Sequence, residues 1–265
     1  MKKILRALYF FVNSHVFKLK FWEVYLRSSK NRLNYNYKIS FIIPTHSNPE
    51  SLWNRTIPSI IKQVNIEKEI ILVVDSQTTN VEEMMARMTR QISKHQGIDI
   101  KIMRSSNYEV PKVFFFRDKS NVLDPKWLSA GTIPLLDGIN ATRNDWVILF
   151  AHDDQLPNEN SVYEIFEELK SNKKVAIMGV IRQISPNNSQ NRLFTNKPLV
   201  KDNYGIQGSI FHKNIAKNLY NINDVKILMA NDWGGILRLK FAKIDIVFTN
   251  KIMAEYFPSS LWQQN

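Results

Sequence analysis

The chain has 265 residues, 44% of them hydrophobic and 23% charged, a balance that supports a packed core and excludes wholesale disorder. It contains no cysteine, which excludes a disulfide scaffold, a thiolate metal site and a cysteine nucleophile, and fits the cytosol. The formal charge is +12 but uneven: residues 1–40 hold nine basic groups (Lys2, Lys3, Arg6, Lys18, Lys20, Arg27, Lys30, Arg32, Lys38) against Glu23 alone, a net of +8. The rest of the chain therefore carries only +4, and nucleic acid is not an expected partner.

The first segment, MKKILRALYFFVNSHVFKLKFWEVYLR, reads as an arm. Its apolar run Ile4 to Val12 is interrupted by Arg6 and falls short of the ~20 residues that a membrane span needs. Val12-Asn13-Ser14-His15 offers no small-x-small cleavage site, so a signal peptide is not expected. Leu5, Leu8, Val12, Val16 and Leu19 recur at helical spacing, and Tyr9, Phe10, Phe11, Phe17, Phe21 and Trp22 sit among lysines and arginines. Such a helix suits an anionic bilayer surface; it equally suits packing on the chain's own core or on a partner subunit. Residues 1–37 are read as an N-terminal helical extension and 38–265 as one domain.

From Lys38 the pattern becomes strand and helix in alternation. Apolar runs at Ile39 to Ile43, Glu69 to Val74, Ile98 to Met103, Trp146 to Ala151 and Val175 to Ile181 predict strands buried on both faces, as in a mostly parallel sheet. Between them, Leu52 to Val64 reads as a helix that Pro58 kinks or starts. Val81, Met84, Met85, Met88 and Ile92 form a second helical stripe. Val162, Ile165, Phe166 and Leu169 form a third, opened by Ser161-x-x-Glu164 at capping-box spacing. The Asn-rich stretch Ser185 to Asn196 reads as a loop. The alternation predicts a doubly wound, Rossmann-like α/β domain.

In open parallel sheets, ligands bind beyond the carboxyl ends of the strands. Three predicted strands end there in polar or special residues: Pro44-Thr45-His46-Ser47-Asn48, Asp75-Ser76-Gln77-Thr78 and His152-Asp153-Asp154. Two adjacent carboxylates at the rim of a core repel each other unless a cation neutralises them, and Mg²⁺ and Mn²⁺ prefer oxygen ligands shared with phosphates. The alternative is a solvated turn with one Asp capping a helix. No P-loop, G-x-G-x-x-G, G-x-S-x-G or H-x-x-x-H is present, which argues against a P-loop NTPase, an NAD-type dehydrogenase, a serine hydrolase and a zinc protease.

Three blocks, taken together, carry a resemblance. Residues 39–80 contain strand-Pro-Thr, then Thr56, Ile57, Ser59, Ile60 and Gln63 on a helix, then strand-Asp. Residues 138–157 read GINATRNDWVILFAHDDQLP. Residues 207–238 hold a Gly-Ser-x-Phe segment and the later Asn231-Asp232. In that order they resemble the family-2 glycosyltransferases with the GT-A fold, over roughly residues 38–257. The resemblance implies a single GT-A-like domain that transfers a sugar from a nucleotide diphosphate donor to a glycan or lipid-linked acceptor, with inversion and with Mn²⁺ or Mg²⁺. It implies that Pro44, Thr45, Asp75 and Asp153 bind the donor, that Asp153 and Asp154 form the metal motif with Asp154 the better direct ligand, and that Asp232 is the catalytic base. Three positions depart from the family pattern: Ser76 stands where a second base-loop Asp is common, Ala151 where the metal motif starts with Asp, and no late histidine lies near Tyr256-Phe257-Pro258. Polysaccharide biosynthesis at the inner face of the cell membrane is the expected setting. The rivals are a non-catalytic nucleotide-sugar or glycan-binding protein and a sugar nucleotidyltransferase; the latter needs a Gly-rich basic loop that the sequence lacks.

Overall fold

The structure, a computed structural model, describes residues 4, 7–9, 11–13, 15–16, 33–47, 50–94, 98–112, 131–184, 192–194, 206, 208–227 and 231–257, with the backbone alone at 192 and 231–233. Phe114-Phe115-Phe116 and Trp127, which the sequence offers as an acceptor loop and a sugar-stacking ring, lie outside the described residues.

Four strands follow the expected parallel arrangement. They are β1 (Lys38–Thr45), β2 (Glu67–Val74), β3 (Asp99–Arg104) and β4 (Trp146–Leu149), in the order β3-β2-β1-β4. Beyond β4 the sheet becomes mixed. Strand β7 (Ile210–His212) runs antiparallel to β4 and to β5 (Ala176–Gln183); β6 (Arg192–Phe194) is antiparallel to β5, and β8 (Val247–Tyr256) is parallel to it. The eight strands form one α/β sheet that is mostly parallel.

Successive side chains of a strand point to opposite faces, and here both faces are covered. Ile39, Phe41, Ile43, Ile70, Leu72, Val74, Trp146 and Ile148 pack in one cluster. Ile42, Ile71, Val73, Val147 and Leu149 pack in another. The first face is covered by α1 (Ile57–Ile61), α2 (Val81–Ile92) and α4 (Ser161–Ser171); the second by α3 (Thr132–Ala141), α5 (Lys213–Ala216) and α6 (Asn231–Phe241). This double burial is why the strands read as unbroken apolar runs. Gly138 lets α3 lie close on the sheet, since a Cβ there would come 2.4 Å from Ile42 Cγ2.

Two helix starts differ from their sequence patterns. Leu52 to Val64 is not one α-helix: Leu52–Thr56 is a π-helical turn, with the Ile57 amide bonded to the Leu52 carbonyl, and α1 begins at Ile57. Pro58 has no N–H to continue the ordinary ladder, so the chain widens just before it. In α4 the expected capping box does not form. Ser161 Oγ instead donates to the Asn158 carbonyl and accepts the Asn158 amide, both at 2.9 Å, while Glu164 lies 3.7 Å from Lys251. Within the stretch read as an Asn-rich loop, residues 192–194 are strand β6.

Residues 33–37 pack on the domain. Leu33, Tyr35 and Tyr37 lie against the first cluster, Tyr35 stacks on Trp146 with ring centroids 5.1 Å apart, and Trp146 Nε1 donates to the Asn34 carbonyl at 2.8 Å. Among the described residues no helix is long and apolar enough to cross a membrane.

Candidate active site

The parallel strands β1, β2 and β4 bring their carboxyl ends to one edge, and the sequence-predicted residues of the first two blocks meet there. Pro44 and Thr45 close β1, paired with Val73 and Val74 of β2. The Asp75 amide donates to the Thr45 carbonyl at 2.9 Å, so the two strand ends are locked side by side. A cleft of about 430 Å³ opens beside them, lined by His46, Ser47, Thr78, Asn80, Met84 and Arg87 among others.

Asp75 is held in a defined orientation. Its carboxylate accepts the Gln77 amide at 2.9 Å and the Tyr108 hydroxyl at 3.0 and 3.2 Å. Burial, and next the Asp75 charge, push the Tyr108 phenol well above its usual pKa, so it stays a donor. Ser76, in the place of a common Asp, ties the β2 loop to the loop after β3: its amide donates to Ser105 Oγ and its hydroxyl to the Ser106 carbonyl, both at 2.9 Å.

After β4 the chain passes through Phe150 and Ala151 into His152-Asp153-Asp154. This loop is fastened by side chains of the first helical block. Thr56 Oγ1 lies 3.0 Å from the His152 carbonyl and 2.6 Å from the Asp154 carbonyl. Arg55 Nη2 donates to the Asp153 carbonyl at 2.7 Å, its guanidinium 3.9 Å above the Phe257 ring. Ser59 Oγ accepts the Leu156 amide, and Gln63 bonds both the Asn158 carbonyl and the Val162 amide. From the other side, Gln155 and Glu255 exchange backbone hydrogen bonds of 3.1 and 2.8 Å, which brings the end of β8 onto the loop. Thr56, Ser59 and Gln63 belong to the resemblance, but as a helix pattern; their shared use as a clasp on the acidic loop is visible only in three dimensions. Arg55, Tyr108 and Tyr256 were missed: Arg55 lies off the apolar stripe of its helical turn, Tyr108 in an irregular segment and Tyr256 at a strand end.

Asp154 is the unusual group. It is wholly buried, and neither carboxylate oxygen has a hydrogen-bond partner among the described residues. Burial first, and then the charge of Asp153, hold its pKa well above the ordinary carboxylate range, against the opposing pull of Arg55. Buried polar groups are nearly always bonded, so this carboxylate is incomplete as it stands. Tyr256, at the end of β8, feels both acids: burial and then Asp153 and Asp154 raise its phenol pKa. His152 is driven the other way, its imidazole pKa lowered chiefly by burial, and its ring lies 5.4 Å from that of His46.

The orphaned oxygens of Asp154 are suited to a divalent cation, which prefers such hard donors. Among the described residues no group of three or more His, Cys, Asp or Glu side chains is arranged to hold a metal. A cation at Asp154 would thus draw further ligands from a phosphate-bearing molecule or water.

The third block lies partly outside the described residues. Asp232 falls in the first turn of α6, with its side chain outside the description. Arg238, offered by the sequence as a phosphate contact or a helix salt bridge, makes a buried ion pair: Nη1 donates to Asp224 Oδ1 at 3.0 Å, and Nε bonds the Leu219 carbonyl at 3.1 Å.

Removing the Thr56 hydroxyl tests the clasp. Thr56→Val removes the one hydroxyl proton that the His152 and Asp154 carbonyls share and leaves the buried Asp154 carbonyl short of a donor, and a cost of about 1–3 kcal/mol is expected. Thermal unfolding reads it as a drop in Tm, with Thr56→Ser restoring most of the loss. An unchanged Tm in the Val variant would remove the clasp from the account.

The strand order and the two-sided helical cover define an α/β fold with a mixed, mostly parallel sheet, and its structural neighbours make that fold GT-A-like. No family model matches the sequence, and no curated protein does. Solved structures do match in fold. Residues 1–349 of TarS from S. aureus in complex with UDP superpose with a TM-score of 0.53 at 13% identity, over 84% of this chain and 61% of that one. The same protein in complex with UDP-GlcNAc gives 0.52 at 14% identity, over 84% and 59%. The mannosyltransferase PcManGT from Pyrobaculum calidifontis, in complex with GDP-Man and Mn²⁺, gives 0.53 at 12% identity, over 93% and 68%. The chain spans about three-fifths of the TarS 1–349 chains it matches.

Proposed function

We propose that this protein is a metal-dependent glycosyltransferase of the family-2 type, in which residues 38–265 form the catalytic domain and residues 1–37 an extension. The observation that carries the reading is the buried, unpartnered carboxylate of Asp154 at the carboxyl edge of a GT-A-like sheet. The nucleotide-sugar complexes of its fold neighbours support the same reading. The donor is a nucleotide diphosphate sugar, and the acceptor is a glycan or a lipid-linked glycan at the inner face of the cell membrane.

In this reading Pro44, Thr45 and Asp75 line the nucleotide pocket at the ends of β1 and β2, and Asp153 binds the donor beside them. Asp154 and Asp153 hold Mn²⁺ or Mg²⁺, which when bound supplies positive charge against the leaving diphosphate. Thr56 and Arg55 fix the backbone of the acidic loop, so that its carboxylates are placed before the donor arrives. Asp232 takes the proton from an acceptor hydroxyl as that oxygen attacks the anomeric carbon. One displacement inverts the configuration. The departures Ser76 and Ala151 place more of the donor recognition on Asp75, Tyr108 and Asp153.

The test is a panel of nucleotide sugars incubated with the full chain and Mn²⁺ or Mg²⁺, with release of the nucleoside diphosphate measured. Release from one donor, stopped by a chelator and restored by the metal, is the expected result. Binding of a donor without turnover, with acceptor extracts present, would instead favour the non-catalytic reading.

A further inference from the structure

The arm has two faces in the structure. Residues 4, 7–9, 11–13 and 15–16 are all helical. Tyr9 and Asn13, one turn apart, are half-buried, and the Tyr9 hydroxyl donates to Asp224 Oδ1 at 3.2 Å. Ile4, Leu8, Val12 and Val16 recur every four residues in a row beside that contact and are open to solvent, with relative exposures of 71%, 56%, 53% and 48%. A ridge of four large aliphatic side chains is thus exposed on a helix that Tyr9 attaches to the domain.

We propose that this outward ridge lies in the surface of an anionic lipid bilayer, and that the Tyr9–Asp224 contact orients the domain upon it. Charge decides between the possible occupants. Residues 1–40 carry a net +8, so a second copy of the arm would meet its own sign, whereas a layer of anionic headgroups complements it. Length fits a helix lying in the interface, because the apolar run is too short to span and its flanks are basic. Asp224 links the arm to α6 through Arg238, with Nη2 2.8 Å from Asp224 Oδ2. The lipid contact does not depend on the glycosyltransferase reading.

The test is flotation of the full chain with vesicles of phosphatidylcholine alone or with added phosphatidylglycerol, in the absence of donor and acceptor, so that the outcome is independent of catalysis. The chain is expected to float with the anionic vesicles only, and less as salt rises, since screening acts over about 8 Å at physiological ionic strength. The triple variant Leu8→Gln, Val12→Gln, Val16→Gln is expected to bind at least about tenfold more weakly with an unchanged Tm. Should that variant fold poorly, Lys2→Gln with Lys3→Gln serves instead and is expected to weaken anionic flotation alone. Tyr9→Phe is expected to float as the wild type does, while trypsin cuts its arm faster. Equal flotation with neutral vesicles, none with anionic ones, wild-type flotation by the triple variant, or a dimer that the triple variant abolishes would each overturn the proposal.

Discussion

Asp154→Asn is expected to yield a more stable protein that no longer turns over donor. The wild-type carboxylate is buried with no bonded partner, and its pKa is raised well above the ordinary range by burial and by Asp153. A group whose folded pKa lies above its unfolded value contributes stability that is present at low pH and lost as pH rises through the folded pKa. Above the unfolded pKa, where the unfolded chain ionises freely, the buried Asp154 carboxyl therefore works against folding, and Asn removes that penalty. A gain of about 1–2 kcal/mol is expected, within the range for stabilising substitutions at strained functional sites. The gain should vanish in acid, where the carboxyl is protonated in both states, and should grow with pH up to the folded pKa. Turnover should fall by at least about 10²-fold, because neutralising a leaving diphosphate is worth several kcal/mol. Thermal unfolding across pH, set beside diphosphate release with Mn²⁺, checks both halves. A lower Tm at neutral pH would mean that the carboxylate is a structural partner, and full turnover would remove it from catalysis.

The parallel half of the fold was legible in the sequence because burial on both faces writes a continuous apolar run. Phe41-Ile42-Ile43 and Ile70-Ile71-Leu72-Val73-Val74 alternate between two cores, so no polar residue interrupts them. Strands β7 and β8 lack that signature. Ile210–His212 has three residues, too few for a pattern. Val247–Tyr256 carries Thr249, Asn250 and Lys251 in mid-strand, where its register with β5 shifts near Val180. A break in pairing turns side chains out of step with the pleat, and alternation fails as a signal. The π-turn before Pro58 was hidden for a related reason: the apolar spacing of Leu52, Ile57 and Ile60 fits any helix, and only the missing amide of Pro58 selects the wider turn.

The candidate site was legible as far as strand ends could carry it. Pro44-Thr45, Asp75 and Asp153-Asp154 stand out because polar residues stop apolar runs, and β1, β2 and β4 are neighbours in the sheet. What holds those residues was not legible. The contacts of Thr56 with His152 and Asp154 span nearly a hundred positions, and Tyr108 reaches Asp75 from an irregular segment. No local pattern predicts a hydroxyl that caps two distant carbonyls. The Ser161-x-x-Glu164 spacing shows the reverse error, since a valid local motif was set aside when Asn158 offered Ser161 both a donor and an acceptor.

Asp232→Asn is expected to separate catalysis from helix stabilisation at the start of α6. Asp232 occupies the first turn of a helix of 11 residues, where a carboxylate also interacts favourably with the unpaired amides and the helix dipole. Asn keeps the size of the side chain and caps about as well as Asp, but it cannot accept the acceptor's proton. If Asp232 is the general base, donor affinity and Tm should change little while transfer to the acceptor falls by roughly 10²–10⁴-fold. Nucleoside diphosphate release to water without acceptor should fall less, because water needs no positioned acceptor hydroxyl. If the residue serves only the helix, Asn should be nearly silent and Asp232→Ala should cost about 1 kcal/mol of stability. The comparison is made at saturating donor and acceptor, so that binding differences drop out of the rate. Near-wild-type transfer by the Asn variant would refute the base assignment, and with it the single-displacement mechanism as drawn, because the resemblance places no other carboxylate of the third block at that position.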